Sequence, residues 1–282
     1  MAELDWGRSF LMCPPDFFGV NYEINPWMHV DVQVDLDAAR EQWNTLVTAL
    51  RQAGAEVRMQ TAQNGWPDMV FTANAGIVNG KQFIPTHFRH PERQGETRYD
   101  SAYFESQGFR IDRLPEQVVH EGVGDALPFG IGESKVFISG YGTRSDAEAI
   151  AHISRLTGAP MLAVKLVDQR LYHLDLSFTP LDDRRAIIAP LGHDREGLAN
   201  LTALVPEPLI LDDEEALTFC CNSVVVGKTI VMPATPVRVG RQLEQWGFNV
   251  VTVALPEFIK AGGGCRCLTL ALDVRLSDAD HS

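Results

Sequence analysis

Three short segments carry residue types that suit covalent attack on carbon and the proton transfers that go with it. Cys267 lies just past Gly262-Gly263-Gly264, and those three glycines are expected to let the backbone approach a substrate closely. A cysteine attacks as the thiolate, so a nearby cation, His173 or a cationic substrate, would have to favour its ionised form. His173 is followed two residues later by Asp175, which places both side chains on one face if the segment is an extended strand. Such a histidine can protonate a departing amine and then take a proton from water. Glu121 and Asp125 flank a glycine-rich stretch, Gly122-Val123-Gly124. Each of these residues also has a purely structural reading: a free cysteine as a small buried hydrophobe, a hydrogen-bonded core histidine, carboxylates that cap a turn. Cys13, Cys220, Cys221 and Cys265 are read in that way. A zinc site is the rival for the Cys/His set. However, Cys265 and Cys267 are one residue apart rather than the roughly two to four of structural zinc, and there is no second pair, so no metal is expected. The triple glycine lacks the Lys-Ser/Thr ending of a phosphate loop, and no cofactor is expected.

Residues so far apart in sequence need a fold that brings them together, and an internal repeat supplies one. Short β-rich runs that end on proline or glycine recur at 83–85, 136–140, 186–190 and 229–233. A strand-like segment and a hairpin turn precede each: 69–72, 126–129, 174–178 and 217–220 are expected as first strands. Helical stretches are expected to follow at 97–107, 144–156, 194–204 and 236–246, and then third strands at 108–111, 161–164, 208–211 and 248–251. The unit is strand, strand, helix, strand. Asp68, Asp125, Asp175, Cys220 and Cys267 mark its repeats, at intervals of 45 to 57 residues. The fifth unit opens at Cys267 but lacks its second strand and helix before Ser282. Matching pieces stand at the other end: a strand at 10–14, a helix at 35–53 burying Trp43, Leu46, Val47 and Leu50, and a strand at 56–59. The expectation is an α/β fold, a five-bladed pseudosymmetric β/α propeller of ββαβ modules forming a single domain over residues 1–282. An ordinary doubly wound α/β domain is the alternative. In a closed ring the landmark edges meet at the axis, gathering Asp68 and Asn74, 120–125, 172–175, 220–222 and 262–267.

Composition narrows the partners. The net charge is −13, from 24 Lys+Arg and 37 Asp+Glu, and the pI is about 5.0. That argues against a nucleic acid or an anionic membrane surface and is compatible with a small cationic substrate. No signal peptide and no membrane-length apolar run is evident, and five cysteines make an odd count, so reduced cytoplasmic thiols are the expectation. Oligomeric state is not readable.

The motifs Asp68–Asn74 (DMVFTAN), Glu121–Asp125 (EGVGD), His173–Asp175 (HLD) and Gly262–Cys267 (GGGCRC) span nearly the whole chain, and together they resemble the guanidine-modifying enzymes of the pentein superfamily. That group includes arginine deiminases, dimethylarginine dimethylaminohydrolases, amidinotransferases and arginine dihydrolases, on five-bladed propellers. The resemblance implies Cys267 as nucleophile, His173 as general acid/base, Glu121 as the carboxylate of an EGGD-like segment that here carries one extra residue, and Asp175 as a guanidinium ligand. Arg89 and Arg144 resemble arginines that hold a substrate α-carboxylate. Asn74 departs from the deiminase pattern, which has aspartate there. FTAN and the stretch CPPDFFGVNYEINPWM at 13–28 are similar to the arginine dihydrolase branch, whose expected products are ornithine, carbon dioxide and two ammonia. Asp68 and Asp125 would add carboxylates for the cationic substrate. A deiminase, a dimethylargininase, an amidinotransferase and a non-catalytic binding protein on the same fold are the alternatives.

Overall fold

The computed structural model of the chain describes residues 2–276 and contains five three-stranded sheets. The first blade is Gly76–Asn79, Gln82–Pro85 and Arg110–Ile111. The second is Ala126–Phe129, Val136–Tyr141 and Met161–Lys165. Phe178–Pro180, Arg185–Ile188 and Glu207–Ile210 form the third, and Val224–Val226, Thr229–Met232 and Asn249–Thr252 the fourth. In each blade the first strand runs antiparallel to the second and the second parallel to the third. A tight turn serves the antiparallel pair, whereas the parallel pair needs a crossover, which a helix provides. Those helices are Thr97–Ser106, Ala147–Thr157, Arg195–Leu204 and Val237–Gln245.

The fifth blade joins the two ends of the chain. Leu270–Ala271 pairs antiparallel with Ser9–Met12, Phe10 lying opposite Ala271, and Ser9–Met12 runs parallel to Glu56–Met59 after the helix Leu36–Gln52. Asp35 caps that helix by accepting from the backbone N–H groups of Asp37 and Ala38, and its buried stripe includes Trp43, Leu46, Val47 and Leu50. The fold is the expected five-bladed β/α propeller. First and second strands are largely buried apolar runs, while third strands are partly exposed at the rim. Four of the five helices are followed by a glycine at positive φ before the third strand: Gly54, Gly108, Gly158 and Gly247. In the third blade Val205 ends the helix in extended backbone instead.

The first strands depart from expectation. Only 126–129 is a strand as predicted. Residues 69–72 fall in the 3-10 turns Pro67–Val70 and Thr72–Asn74, and 174–176 is the 3-10 turn Leu174–Leu176. Residues 217–220 follow the short helix Asp213–Ala216, which the sequence did not reveal. The strands begin a few residues later. Apolar residues in these turns are as buried as in strands, so hydrophobicity alone does not separate the two. The turns matter because they carry the landmark side chains inward, and those of the first three blades pack on one another around the axis.

Closure makes the amino-terminal strand structurally critical. Phe10 is fully buried, so Phe10→Ala should destabilise the protein by about 3–5 kcal/mol, read as a fall in the denaturant midpoint at unchanged slope. Among the described residues no helix is long and apolar enough to cross a membrane.

Candidate active site

The turns before the first strands supply the groups at the axis. Asn74 closes the turn Thr72–Asn74; its Oδ1 accepts from Arg93 Nη1 at 2.9 Å and its Nδ2 donates to the Glu121 carbonyl at 3.1 Å. Asp68 accepts from the Tyr22 hydroxyl at 2.9 Å on Oδ2, with Arg93 Nε at 3.8 Å, while its buried Oδ1 has no partner in the protein. Cys267 Sγ lies 3.1 Å from Nδ2 of Asn222 and 3.5 Å from Oδ2 of Asp175. The other oxygen of Asp175 is also buried without a partner. Two unpartnered carboxylate oxygens are costly in a protein interior and mark a place where donors belong.

A small cavity is walled by Cys267, Asn74, Asp68, Arg93, Arg144 and Tyr172, with Phe71 and Ala261, and is covered by Ile24 and Asn25. Arg144 Nη2 donates to the Ile24 carbonyl at 2.8 Å and Asn25 Nδ2 to the Ala261 carbonyl at 3.1 Å, which ties the covering segment down. Arg144 links the cavity wall to a buried carboxylate and histidine. Glu121 Oε2 accepts from Arg144 Nη1 and pairs with His173 Nε2, each at 2.9 Å, and its Oε1 accepts from the Arg89 backbone N–H. Asp125 accepts from the Ser145 hydroxyl at 2.6 Å and from the Leu174 N–H at 3.0 Å, with His173 Nε2 at 4.0 Å.

Burial and neighbours split the carboxylates. Burial opposes the charge of Glu121, but Arg144 and His173 outweigh it and hold this group well below the ordinary carboxylate range. Burial wins at Asp125, pushed up to about 6 despite His173 and Ser145, and it also raises Asp68 and Asp175. The Cys267 thiol is driven well above its usual value by burial and by the adjacent Asp175, with backbone and Asn222 donors acting the other way. An uncharged thiol beside a carboxylate is a weak nucleophile, and positive charge arriving nearby would favour its thiolate.

Several expectations need correction. His173 and Asp175 do not share a strand face: His173 is extended, Asp175 sits in a 3-10 turn, and they point to different partners, Glu121 and Cys267. Arg89 lies outside the cavity wall; its half-exposed guanidinium bonds the Arg144 carbonyl and Asp146. At the triple glycine the close neighbours are protein groups: a Cβ on Gly263 would strike the Phe71 ring at 2.3 Å, and one on Gly264 would meet Asn222 Oδ1 at 2.9 Å. Gly124 has the same cause, since a Cβ there would lie 2.6 Å from Asn74 Nδ2. Cys13, Cys220, Cys221 and Cys265 are buried and free.

The sequence profile described as N,N dimethylarginine dimethylhydrolase, eukaryotic, matches residues 18–274. The chain belongs to this family. Within the dimethylarginine dimethylhydrolase family and the wider pentein superfamily, it is 37% identical over 276 residues to the bifunctional arginine dihydrolase/ornithine cyclodeaminase AgrE of Nostoc, a match covering 97% of this chain and 39% of AgrE. It is 36% identical to N(G),N(G)-dimethylarginine dimethylaminohydrolase of Mycobacterium tuberculosis, covering 94% of this chain and 86% of that protein. Its fold superposes with a TM-score of 0.90 on the N-terminal domain of Synechocystis ArgZ covalently bound to a reaction intermediate, at 36% identity, covering 95% of this chain and 98% of that domain. The chain spans less than two-fifths of the two cyanobacterial bifunctional relatives.

For this dimethylarginine dimethylhydrolase family member, sequence reasoning missed Arg93 and Tyr22 and gave Asn222 no role. Arg93, in the short helix Pro91–Gln94, bonds Glu96 three residues on. That spacing reads as an ordinary exposed helix pair, yet both side chains are buried.

Proposed function

We propose that this chain is a cysteine-dependent hydrolase of the guanidino group of arginine, yielding ornithine, carbon dioxide and two ammonia. The observation that carries the reading is the buried Cys267 sulfur, 3.5 Å from Asp175 Oδ2 and in a cavity that also presents Asn74, Asp68 and Arg144, with Oδ1 of the same Asp175 left unpartnered. A guanidinium seated there would donate to the free oxygens of Asp68 and Asp175, and its charge would favour the thiolate.

As the guanidinium is seated the Cys267 thiol releases its proton to solvent, and the thiolate attacks the guanidino carbon. Ammonia leaves with a proton from His173, whose imidazolium form Glu121 stabilises, and an S-linked adduct remains. His173 then takes a proton from water, which adds to that carbon. Expulsion of sulfur gives citrulline. In a second round the thiolate attacks the ureido carbon, a second ammonia leaves, and water releases an N-carboxylated ornithine that loses carbon dioxide. The overall balance is arginine plus two waters to ornithine, carbon dioxide and two ammonia. Asp125 and Ser145 steady the His173 loop, and Arg144, on the cavity wall, is the arginine placed to meet a substrate carboxylate. Asn74 is neutral and already oriented by Arg93 and the Glu121 carbonyl, so its amide suits both the guanidinium of arginine and the uncharged urea of citrulline.

Incubation with arginine should give ornithine with two ammonia. Citrulline as the end product would make the chain a deiminase, and turnover of dimethylarginine alone would favour the second reading that the family profile supports. Transfer to an amine acceptor would mark an amidinotransferase. Asn74→Asp should shift the product ratio toward citrulline by about tenfold or more, because a carboxylate binds the cation and repels nothing from it but gives the neutral urea no such pairing. An unchanged ratio would remove Asn74 from the explanation. The substrate is small and cationic, in keeping with the net charge. Closure of the ring by its two ends supports one catalytic domain over 1–282, and five free thiols support a reducing, cytoplasmic setting.

A further inference from the structure

We propose that Asn222 is a catalytic residue whose side-chain amide stabilises the Cys267 thiolate by direct N–H donation to Sγ. The proposal rests on Cys267 being the nucleophile. Its basis is the way every hydrogen-bonding position of this amide is used. Oδ1 accepts from the backbone N–H groups of Arg266, at 2.9 Å, and Cys267, at 3.2 Å. Nδ2 donates to the Asp175 carbonyl at 3.1 Å and to Cys267 Sγ at 3.1 Å. Two donors on one side and a carbonyl on the other leave a single orientation for the amide, with N–H aimed at sulfur.

The amide is also built into place. Asn222 is fully buried, and its own N–H donates to the Phe219 carbonyl at 2.8 Å. Phe219 holds φ at 64°, the one non-glycine residue in the left-handed region among those described. Strain of that kind persists where the surroundings demand a particular geometry. Gly264 is required opposite, since a Cβ there would come within 2.9 Å of Oδ1. Asn222 ends its turn two residues before the first strand of its blade, the position Asn74 holds in the first blade.

The chemistry follows from charge. Around Sγ stand Asp175, an anion-forming group that opposes a second negative charge, and Asn222, a neutral donor that gains when sulfur ionises. A hydrogen bond to a charged partner is stronger than one to a neutral partner, so the N–H favours thiolate over thiol. Asn222 therefore offsets part of what burial and Asp175 impose. A merely structural clamp would hold the backbone of 266–267 equally well and leave the thiol's ionisation where it was.

Alkylation of Cys267 by iodoacetamide, followed across pH by peptide mass with Cys267→Ala as the blank for other thiols, reads the ionisation directly. Asn222→Asp keeps an acceptor for the two backbone N–H groups and replaces the donor with an anionic oxygen. Asn222→Ser removes the donor without adding charge. In each variant that melts as the wild type does, the midpoint should rise by about one to two pH units and the rate at neutral pH should fall about 10- to 100-fold. An unchanged midpoint in either folded variant overturns the proposal. In the wild type, which needs no substitution at 222, the Asn222 side-chain amide proton resonance should move with the same midpoint and stay flat in Cys267→Ala. A flat wild-type resonance also overturns it. No substrate enters these measurements, so failure to hydrolyse arginine would leave the Asn222 result standing. An unchanged midpoint with arginine turnover intact would sink Asn222 alone.

Discussion

Cys267→Ala should abolish turnover of arginine, by at least about 10⁴-fold in kcat, while arginine still binds. The binding groups around the sulfur, Asp68, Asp175, Asn74 and Arg144, are untouched by removal of one atom, so calorimetry should find an affinity within about an order of magnitude of the wild-type KM. Mass spectrometry of the wild-type enzyme quenched during turnover should show an adduct on the peptide that carries Cys267, absent in the variant. The wild-type pH profile should carry the same signature. Burial and Asp175 keep the free thiol protonated at neutral pH, so kcat/KM should climb with pH through the neutral range, by up to tenfold per unit while the thiolate is the minor form. A variant with retained activity, or a flat profile, would take the nucleophile away from Cys267.

Glu121→Gln carries the second large effect and touches both chemistry and stability. Glu121 is the shared partner of Arg144 and His173, and it is fully buried. An amide there cannot balance the Arg144 charge and offers His173 no carboxylate partner; kcat should fall by about 10²–10⁴-fold. Breaking a buried ion pair from one side should also cost about 3–5 kcal/mol at neutral pH, measured by urea unfolding. The pH dependence has a definite sign. The folded state holds Glu121 below its ordinary value of about 4.5, so its charge contributes stability that is fully present above that value and is lost as pH falls toward the folded one. The gap in stability between wild type and variant should therefore be widest at neutral pH and close on acidification below about 4.5. Asp125 works in the opposite direction. Its value, raised to about 6, means stability is lost as pH rises between about 4 and 6. Asp125 is present in both proteins, but the Glu121 charge is one cause of its rise, so the part of the gap that closes below about pH 4.5 is the part that reports Glu121. A gap that stays constant with pH would show that the carboxylate's charge is not what matters at position 121.

Local patterning carried the architecture. Runs such as 229–233 alternate with turns, crossover helices show an apolar stripe, and glycine stands ahead of most third strands. Each of these is a property of neighbouring residues, and all recur at one period. Even the closing of the ring was legible, because the module missing its second strand and helix at one end had them at the other. Strand starts were harder to read. Residues 69–74 and 174–176 are apolar and buried like strands, yet they coil into 3-10 turns because their task is to turn Asp68, Asn74 and Asp175 toward the axis. Burial shows in composition, whereas backbone curvature at a crowded centre does not.

Most of the candidate residues lie in one neighbourhood of the structure, but their pairings differ from the expected ones. His173 and Asp175, two apart, were expected to act on one face. In the structure His173 meets Glu121, 52 residues away, and Asp175 meets Cys267, 92 residues away. Arg93 was invisible because an arginine three residues from a glutamate looks like any solvated helix pair. Asn222 stood among the converging landmarks without a role, since an isolated asparagine carries no local signal.

By itself the sequence determined a five-fold repeat and the segments that must face its axis. It also pointed to a cysteine, a histidine and carboxylates of the types that covalent hydrolysis needs. These follow from hydrophobic periodicity and residue chemistry, which are short-range. Only the tertiary structure decided which donor touches which acceptor: Asn222 and Asp175 at the thiol, Glu121 between Arg144 and His173, Arg93 on Asn74, and two carboxylate oxygens left free. Those pairings join turns from different blades. A shift of one residue in any turn would exchange partners while leaving the pattern along the chain unchanged.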